Sequence, residues 1–436
     1  MQLTKGTIIQ AEIQYLNISG RGIAEVEIEG QPYFLAVDDL YPGDVAEVSI
    51  TKIKKKYLEG KLVNLLKKSP HRIKPRSKHA DYSGGSPWEI LDYAYQLQIK
   101  QTEVERILAN IEEPAAKVKP IIGMDDPWYY RNKMQYSFGF DSEMKPVLGL
   151  HVKGRKFDVY DLEECFLCEP WIPDVLQNFR RLLDIYQPYK FNAGTGVLRD
   201  LTIKVGKNTG QKMAIVSASE KIDLSILPTD FDSLFLEVVE SKRGTPTKKV
   251  LHKIYGSDYV TEKIHDQTFQ IGPHTFFQPN TTQATKIFDQ VAKFAEPTDK
   301  IIYDLFCGSG TIGITLAPEA KHIYGIDIIE ESIQNANANL KLNNLNNCTY
   351  IAGDIFKDFQ TQNWPKPDVV VIDPPRAGLR PDLIEFICTF KPTKIIYVSC
   401  NIKSFTQDLV EFKKNGWNLN QLQPIDQFPH TKQDRK

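Results

Sequence analysis

Two segments near the carboxyl end of the chain place reactive side chains directly after runs of Ile and Val. In VVVIDPPRAGL this residue is Asp373, and in IIYVSCN it is Cys400. Side chains at the carboxyl ends of parallel strands face the crevice where ligands bind. Cys400 is therefore predicted to be an accessible nucleophile, and Asp373 to position a substrate or cofactor. An inert buried thiol is the alternative, and it suits Cys348 and Cys388 better.

A glycine-rich segment, IIYDLFCGSGTIG, places Gly308, Gly310 and Gly313 between a strand and a helix. Glycines at such a turn let a ligand approach the backbone closely. This pattern alone also fits a nicotinamide enzyme. Asp304, at the end of the preceding strand, would face an amine-bearing ligand rather than a pyrophosphate. This position favours S-adenosylmethionine as the cofactor.

Two further carboxylates follow probable strands of the same region. Asp327 ends HIYGID, nineteen residues after Gly308, where it can accept hydrogen bonds from both hydroxyls of a ribose. Asp354, in IAGD, is predicted to meet the adenine amine, and a helix N-cap is the alternative for it. The strand ends thus carry several carboxylates that are predicted to bind the cofactor, and one reactive thiol.

A thiol beside a methyl donor suits methylation of uracil at C5, which is a poor carbon nucleophile. Addition of a thiolate to C6 gives an enolate, and C5 can then attack the sulfonium methyl group. A base must next remove the C5 proton so that the thiolate can leave. The target uracil must also be flipped out of the base stack so that both of its faces are exposed.

The elements that position these residues follow from the hydrophobic pattern. Short apolar runs at 300–306, 322–327, 368–373 and 394–399 alternate with helical stretches. They predict the buried parallel strands of a doubly wound sheet. Residues 1–63 instead form five short strand patterns separated by glycine turns, which predict a small closed barrel. Between them, one helix is predicted near 89–110, and the region up to 265 shows no clear repeat.

Composition narrows the class of protein. The chain has 436 residues, 41% hydrophobic and 25% charged, typical of a soluble globular protein of two or three domains. The N-terminus lacks a signal-peptide pattern, and no apolar run is long enough to span a bilayer. Six scattered cysteines indicate a reducing compartment rather than a disulfide framework. We therefore expect a cytoplasmic protein, and no feature requires more than a monomer.

The net charge of -1 conceals a basic block. Residues 51–80 contain eleven Lys and Arg residues against one acid. Such a block favours a polyanionic partner, and a solvated surface is the alternative. The residues predicted to contact RNA are Lys54, Lys55, Lys56, Arg72, Arg76, Arg131 and Lys133.

Taken together and in order, the motifs resemble those of the RNA uracil-C5 methyltransferase family over nearly the whole chain. They are YRNKM (130–134), FQPN (277–280), DLFCG (304–308), DPPRAG (373–378) and SCN (399–401). Each motif alone is modest, but the set is specific.

The resemblance implies a mixed α/β fold in three parts. These are a TRAM RNA-binding barrel with an OB-like fold (1–65), a basic linker and α+β central domain (66–265), and a Rossmann-like class I methyltransferase domain (266–436). It implies that Cys400 is the nucleophile and that S-adenosylmethionine is the cofactor. The implied cofactor contacts are Gln278, Asp304, Phe306, Gly308, Gly310, Thr311, Asp327, Asp354 and Asp373.

The chain departs from the family pattern at two places. Many relatives have C-x5-C-G-G-C where this chain has Ser77, Ser83 and Ser86, and Cys165 resembles the fourth ligand of their four-iron–four-sulfur cluster. Hydroxyls do not replace thiolates in such clusters, so no iron–sulfur cluster and no metal are expected.

The second departure concerns the chain end, FPHTKQDRK, against the family's F-P-H-T-x-H-x-E. Arg435 occupies the position of the glutamate base, and arginine cannot act as a base at neutral pH. Either Asp434 or a water substitutes, or turnover is slow, or the reaction is not completed.

The leading hypothesis is methylation of uridine C5 in structured RNA. Large-subunit ribosomal RNA is favoured because TRAM-bearing bacterial relatives act on it, and transfer RNA remains open. The alternative, from a different class, is an RNA-binding protein with weak turnover that acts in ribosome assembly. A cytosine-C5 methyltransferase fits less well, because those enzymes favour Pro-Cys or Thr-Cys over Ser-Cys-Asn. The target uridine is not readable from the sequence.

Overall fold

The protein is described by a computed structural model that covers residues 3–17, 19–114, 117–155, 157–227, 230–240 and 247–432. The chain forms two compact units. The first consists of the described residues of Met1–Asp81, Ser86–Pro127 and Asn420–Lys436, and the second of those of Tyr82–Gly85 and Trp128–Leu419. The division into three domains with the bounds given above stays a prediction.

The first unit contains a six-stranded sheet in the order β1-β5-β6-β4-β3-β2. Its strands are β1 (Ile8–Glu12), β2 (Tyr15–Leu16), β3 (Gly22–Ile28), β4 (Gln31–Val37), β5 (Val45–Lys54) and β6 (Tyr57–Lys67). In β5 the alternating residues Ala46, Val48 and Ile50 are buried, so one face of the strand forms the apolar core. Residues 6–16, the first of the five strand patterns in the sequence, contain two strands, β1 and β2. Closure of the sheet into a barrel stays a prediction.

Helix α1 (Tyr93–Ala109) completes the first unit and holds its carboxyl-terminal segment. Nζ of Lys100 donates a hydrogen bond to Oδ1 of Asp426 at 2.6 Å, and both side chains are buried. The N–H of His430 donates to Oε1 of Gln96 at 2.9 Å. Buried charges need partners of this kind, so α1 fixes residues 420–432 within the N-terminal unit.

The second unit contains a seven-stranded sheet in the order β13-β12-β11-β10-β7-β8-β9. Its strands are β7 (Lys133–Phe140), β8 (Pro146–His151), β9 (Val159–Asp161), β10 (Leu198–Val205), β11 (Lys212–Ala218), β12 (Ser233–Glu240) and β13 (Lys248–Gly256). Helix α2 spans Ile172–Arg180, and a hairpin of β14 (Val260–Ile264) and β15 (Gln267–Ile271) follows. Seven of the eight residues of β12 are buried. A strand covered on both faces shows no alternation of apolar and polar residues. Strands of this kind are therefore hard to recognise in the sequence before residue 265.

The second unit also contains a five-stranded parallel sheet in the order β18-β17-β16-β19-β20. Its strands are β16 (Ile301–Leu305), β17 (His322–Asp327), β18 (Cys348–Ala352), β19 (Val369–Ile372) and β20 (Lys394–Tyr397). The helices around it are α3 (Thr281–Ala295), α4 (Thr311–Leu316), α5 (Glu330–Leu342), α6 (Pro381–Thr389) and α7 (Ile402–Lys414). Val369 and Val371 belong to one apolar cluster, and Val370 and Ile372 to another. Both faces are therefore covered, as predicted for a doubly wound sheet.

Within the described ranges, no helix is both long and apolar enough to cross a membrane.

Candidate active site

Asp304, near the end of β16, is a buried carboxylate with one unused oxygen. The residue is 1% exposed, and its Oδ2 accepts a hydrogen bond from the N–H of Gly313 at 3.0 Å. Its Oδ1 is buried and has no hydrogen-bond partner among the residues described. Burial raises the pKa of Asp304 to about 7, the Gly313 N–H opposes the shift, and the charge of Asp373 adds to it. Burying a carboxylate oxygen without a hydrogen-bond donor is costly. An amine of a bound ligand would supply the missing donor to Oδ1 of Asp304.

The loop after Asp304 has an unusual backbone. Phe306, Gly308 and Gly310 have φ angles of 61°, 53° and 75°, in the left-handed region. Glycine adopts this region freely, whereas Phe306 does so at a cost that often marks functional loops. A Cβ added at Gly308 would meet no atom within 4 Å. The loop therefore leaves open space at Gly308, ahead of the start of α4 at Thr311.

Asp327 and Asp354 differ in their contacts. Asp327, at the end of β17, accepts a hydrogen bond from the Gly308 N–H at 3.0 Å and so ties its strand to the glycine loop. Oδ1 of Asp354 accepts from the N–H groups of Phe356 and Lys357 at 2.8 and 3.1 Å. These bonds close a local turn, and among the residues that the structure describes no helix begins directly after Asp354. A direct role in binding adenine stays a prediction for it.

Cys400 lies between the end of β20 and the start of α7, and it is exposed. The next residue, Asn401, caps α7 through its Oδ1, which accepts from the Lys403 N–H at 3.1 Å. Its Nδ2 donates to the carbonyl oxygen of Arg376 at 3.1 Å. Asn401 thus connects the loop carrying Cys400 to the loop carrying Asp373.

The charges around Cys400 act in opposite directions. Burial and the negative charge of Asp373 raise the pKa of the Cys400 thiol, whereas Arg376 lowers it. Burial also raises the pKa of Asp373 to about 7. Near neutral pH, part of the population therefore has an uncharged Asp373, which removes one cause of the raised thiol pKa.

A buried aspartate on α7 holds the Asp373 loop in place. Oδ2 of Asp408 accepts hydrogen bonds from the hydroxyl of Tyr397 at 2.6 Å and from the N–H of Leu379 at 2.9 Å. Gly378 has a φ of 79°, and a Cβ at this position would lie 2.7 Å from the same Oδ2. The loop thus needs a glycine beside this carboxylate, and no motif in the sequence pointed to Asp408.

Gln278 lies in a segment that the central sheet supports. Nδ2 of Asn132 donates to the carbonyl oxygen of Gln278 at 2.7 Å, and the N–H of Asn132 donates to that of Pro279 at 2.9 Å. Asn132 is buried. Two motifs far apart in sequence, YRNKM and FQPN, are therefore one structural feature.

The predicted RNA contacts of the first unit divide into two groups. Lys54, Lys55, Lys56 and Arg76 are exposed. Arg72 instead forms a bidentate ion pair with the fully buried Asp44, with Nε–Oδ1 and Nη2–Oδ2 distances of 2.8 and 2.6 Å. This geometry gives Arg72 a structural role.

The predicted RNA contacts of the second unit also differ from each other. Lys133 is exposed on β7. Arg131 is half-buried, and its guanidinium lies 5.8 Å from the centre of the Tyr130 ring and 3.4 Å from the carbonyl oxygen of Gly85.

The serines at the family's cluster positions have hydrogen-bond partners. In the first unit, Oγ of Ser86 donates to the buried carboxylate of Glu89 at 2.8 Å, and the N–H of Ser77 bonds to the same carboxylate. In the second unit, Oγ of Ser83 accepts from the Tyr160 hydroxyl at 2.9 Å. Cys165 is buried, and burial raises the pKa of its thiol. The expectation that no cluster is bound stays a prediction.

The chain end is described as far as Lys432. Asp434, the predicted substitute base, lies outside the described residues.

Comparison with known proteins agrees with this arrangement. A family model described as tRNA (uracil-5-)-methyltransferase matches residues 228–434, and a TRAM domain model matches residues 2–63. An uncharacterized RNA methyltransferase from Caldanaerobacter subterraneus subsp. tengcongensis is 34% identical and covers 98% of this chain and 97% of its own. A similar relative from Enterococcus faecalis is 32% identical, with 98% and 95% covered.

Among solved structures, the tRNA (uracil-54, C5)-methyltransferase of Pyrococcus abyssi in complex with S-adenosyl-L-homocysteine matches with a TM-score of 0.77. It is 26% identical and covers 97% of each chain. The fold and the site together thus define an RNA methyltransferase. The chain belongs to the RNA uracil-C5 methyltransferase family, which confirms the predicted mixed α/β fold class, the TRAM module, the RNA partner and the use of S-adenosylmethionine.

Proposed function

We propose that this protein methylates C5 of a uridine in structured RNA through a covalent bond between Cys400 and C6 of the base. The observation that carries the proposal is the pairing of an exposed Cys400 with a half-buried Asp373 on two loops that Asn401 joins at 3.1 Å. These loops follow the neighbouring parallel strands β19 and β20, where ligands of such sheets bind.

The cofactor half of the proposed site lies on β16, β17 and the glycine loop. S-adenosylmethionine supplies the methyl group when it is bound. Asp304 offers its unused Oδ1 to an amine, Asp327 can hold ribose hydroxyls, and the open space at Gly308 admits the ligand beside the backbone. Gln278 would make its contact from the segment that Asn132 supports.

The substrate half centres on the thiol. Cys400 loses its proton, and its sulfur adds to C6 of the flipped uracil, so that the electron pair of the C5–C6 bond moves toward the O4 carbonyl. Asp373, with a pKa raised to about 7 by burial, can be a carboxylic acid near neutral pH and can donate a hydrogen bond to that oxygen. Arg376 favours the thiolate.

The last step removes the C5 proton and breaks the C6–sulfur bond. Asp434 is the proposed base because it stands one residue from the family's glutamate position. Its side chain is shorter than that of glutamate, so we expect slower release than in a protein with the full motif. If release is slow, the covalent adduct between Cys400 and the RNA accumulates before this step.

The substrate proposed first is ribosomal RNA of the large subunit, on the basis of the TRAM module and the family resemblance. Transfer RNA is the competing substrate, and it is supported by the name of the matching family model and by the substrate of the Pyrococcus abyssi enzyme. Both RNAs are compared in one experiment.

The test is a reaction of purified full-length protein with S-adenosylmethionine and unmodified ribosomal or transfer RNA. Half of each sample is run on a denaturing gel, and half is digested for mass spectrometry of nucleosides. We expect 5-methyluridine with one RNA and none with Cys400→Ala. Full methylation by Cys400→Ala would contradict the proposed mechanism.

The alternative function is RNA binding with little turnover, and the arginine at position 435 favours it. It predicts a persistent protein–RNA adduct, strongly salt-dependent binding and little free product. Many turnovers per protein would eliminate this alternative.

A further inference from the structure

A buried lysine of the central sheet contacts the chain segment that leads into the cofactor motif. Lys204 lies on β10 and is 4% exposed. Its Nζ donates hydrogen bonds to the carbonyl oxygens of Gly272 and Thr275, at 2.8 and 2.9 Å. Both acceptors belong to one turn, and Gln278 follows three residues after its end.

The turn is closed from within as well. Oγ1 of Thr275 accepts a hydrogen bond from the N–H of Gly272 at 3.1 Å. The next residues are Phe276, which is 74% exposed, and Phe277, which packs in the apolar core. The turn therefore sets the direction in which the chain enters the cofactor motif.

Lys204 and Asn132 hold this segment at its two ends. Asn132 bonds to the carbonyl oxygens of Gln278 and Pro279, and its own carbonyl accepts from the N–H of Val205, next to Lys204. Adjacent ends of β7 and β10 thus support the whole segment 272–280. We propose that Lys204 is a positioning residue that sets the orientation of Gln278 for the cofactor, so that the central sheet is part of the methyl-donor site.

The cost of burying a lysine supports this role. Burial lowers the pKa of Lys204 to about 7, and the nearby charge of Lys133 adds to the shift. A donor kept at such a cost is retained where its hydrogen bonds matter, because a neutral apolar side chain would be cheaper to bury.

The inference rests on the proposed function, and binding of S-adenosylhomocysteine by the full-length protein tests it. Lys204→Met retains an apolar stem and removes the donors. We expect calorimetry to show a Kd raised about tenfold or more, because the two hydrogen bonds from Lys204 to the turn are lost. RNA affinity should stay unchanged, because Lys204 is buried.

Three further variants separate positioning from general damage. Lys204→Arg retains donors and should keep the Kd within about threefold of the wild type. Thr275→Val opens the turn from a half-buried position and should raise the Kd several-fold. Lys207→Met is the matched control, because Nζ of Lys207 bonds to Tyr129 and Glu169 and not to segment 272–280. Its Kd should equal that of the wild type.

The outcomes are distinguishable. A wild-type protein that does not bind S-adenosylhomocysteine contradicts the proposed function itself. A wild type that binds, with a folded Lys204→Met variant that binds equally well, overturns the inference about Lys204 alone. If circular dichroism shows that Lys204→Met is unfolded, Thr275→Val decides, and an unchanged Kd for that variant overturns the inference.

Discussion

The buried carboxyl of Asp304 predicts a conflict between stability and cofactor binding. We expect Asp304→Asn to be more stable than the wild type without ligand and to bind S-adenosylhomocysteine much more weakly. The amide oxygen of asparagine can still accept the Gly313 N–H at the position of Oδ2, and the amide carries no charge to bury. It cannot, however, pair with a cationic amine as a carboxylate does.

The magnitude follows from the pKa of Asp304, which rises from 3.8 to about 7 on folding. Between these values the folded protein retains a proton that the unfolded chain releases, so stability falls as pH rises toward 7. Above the folded pKa the full cost applies, and a shift of this size corresponds to at most about 4 kcal/mol. From about pH 6 to about pH 8.5, the contribution of Asp304 to this loss is on the order of 1 kcal/mol.

Urea denaturation of both proteins at the two pH values measures this difference. The wild type should lose more stability than Asp304→Asn as the pH rises, and the variant should be the more stable protein at the higher pH. Calorimetry with S-adenosylhomocysteine measures the expected loss of affinity in Asp304→Asn. The same pH dependence in both proteins, with no gain in stability for the variant, would refute the argument that an ionised Asp304 is costly.

Four other substitutions test separate parts of the structure. Cys400→Ala should abolish the covalent adduct on a denaturing gel while calorimetric cofactor binding is retained. Gly378→Ala should lower stability in urea by about 1–3 kcal/mol, because an alanine at a φ of 79° is strained and its Cβ meets a carboxylate. Arg72→Met should cost about 3–5 kcal/mol in the same assay, because Asp44 is left buried without its cation. Lys55→Met should leave stability nearly unchanged and reduce the salt slope of RNA binding by about 1. Equal stability losses for Arg72→Met and Lys55→Met would contradict the roles assigned to them.

The parallel sheet could be predicted because its strands are covered on both faces. Such strands appear in the sequence as continuous apolar runs, and β17 has the predicted bounds of 322–327. The motif residues Asp304, Asp373 and Cys400 follow or end these runs, so their places at strand ends were also predictable. The seven-stranded sheet was not predicted, because its strands β11 and β12 are buried along almost their whole length and so show no alternating pattern.

The supporting roles of three residues around the site could not be read from the sequence. Asn132, Lys204 and Asp408 act through backbone groups of segments distant in sequence, and Asn132 bonds to a carbonyl 146 residues away. Neither the residue type nor the spacing in the sequence indicates which distant backbone group a side chain will bond to. Arg72 shows the reverse problem, because a basic block does not distinguish a cation held in an internal ion pair from one that is free for RNA.

The bonds between α1 and residues 420–432 constrain how the chain can fold during synthesis. Lys100 leaves the ribosome early, but its partner Asp426 is translated more than three hundred residues later. Until then Lys100 lacks its buried carboxylate partner, and Oε1 of Gln96 lacks the His430 N–H that bonds to it. The N-terminal unit can therefore reach its final form only after the whole of 128–419 has been made. A nascent chain stopped before residue 420 would contain helix α1 without its carboxyl-terminal partners, and cells degrade such incompletely folded states.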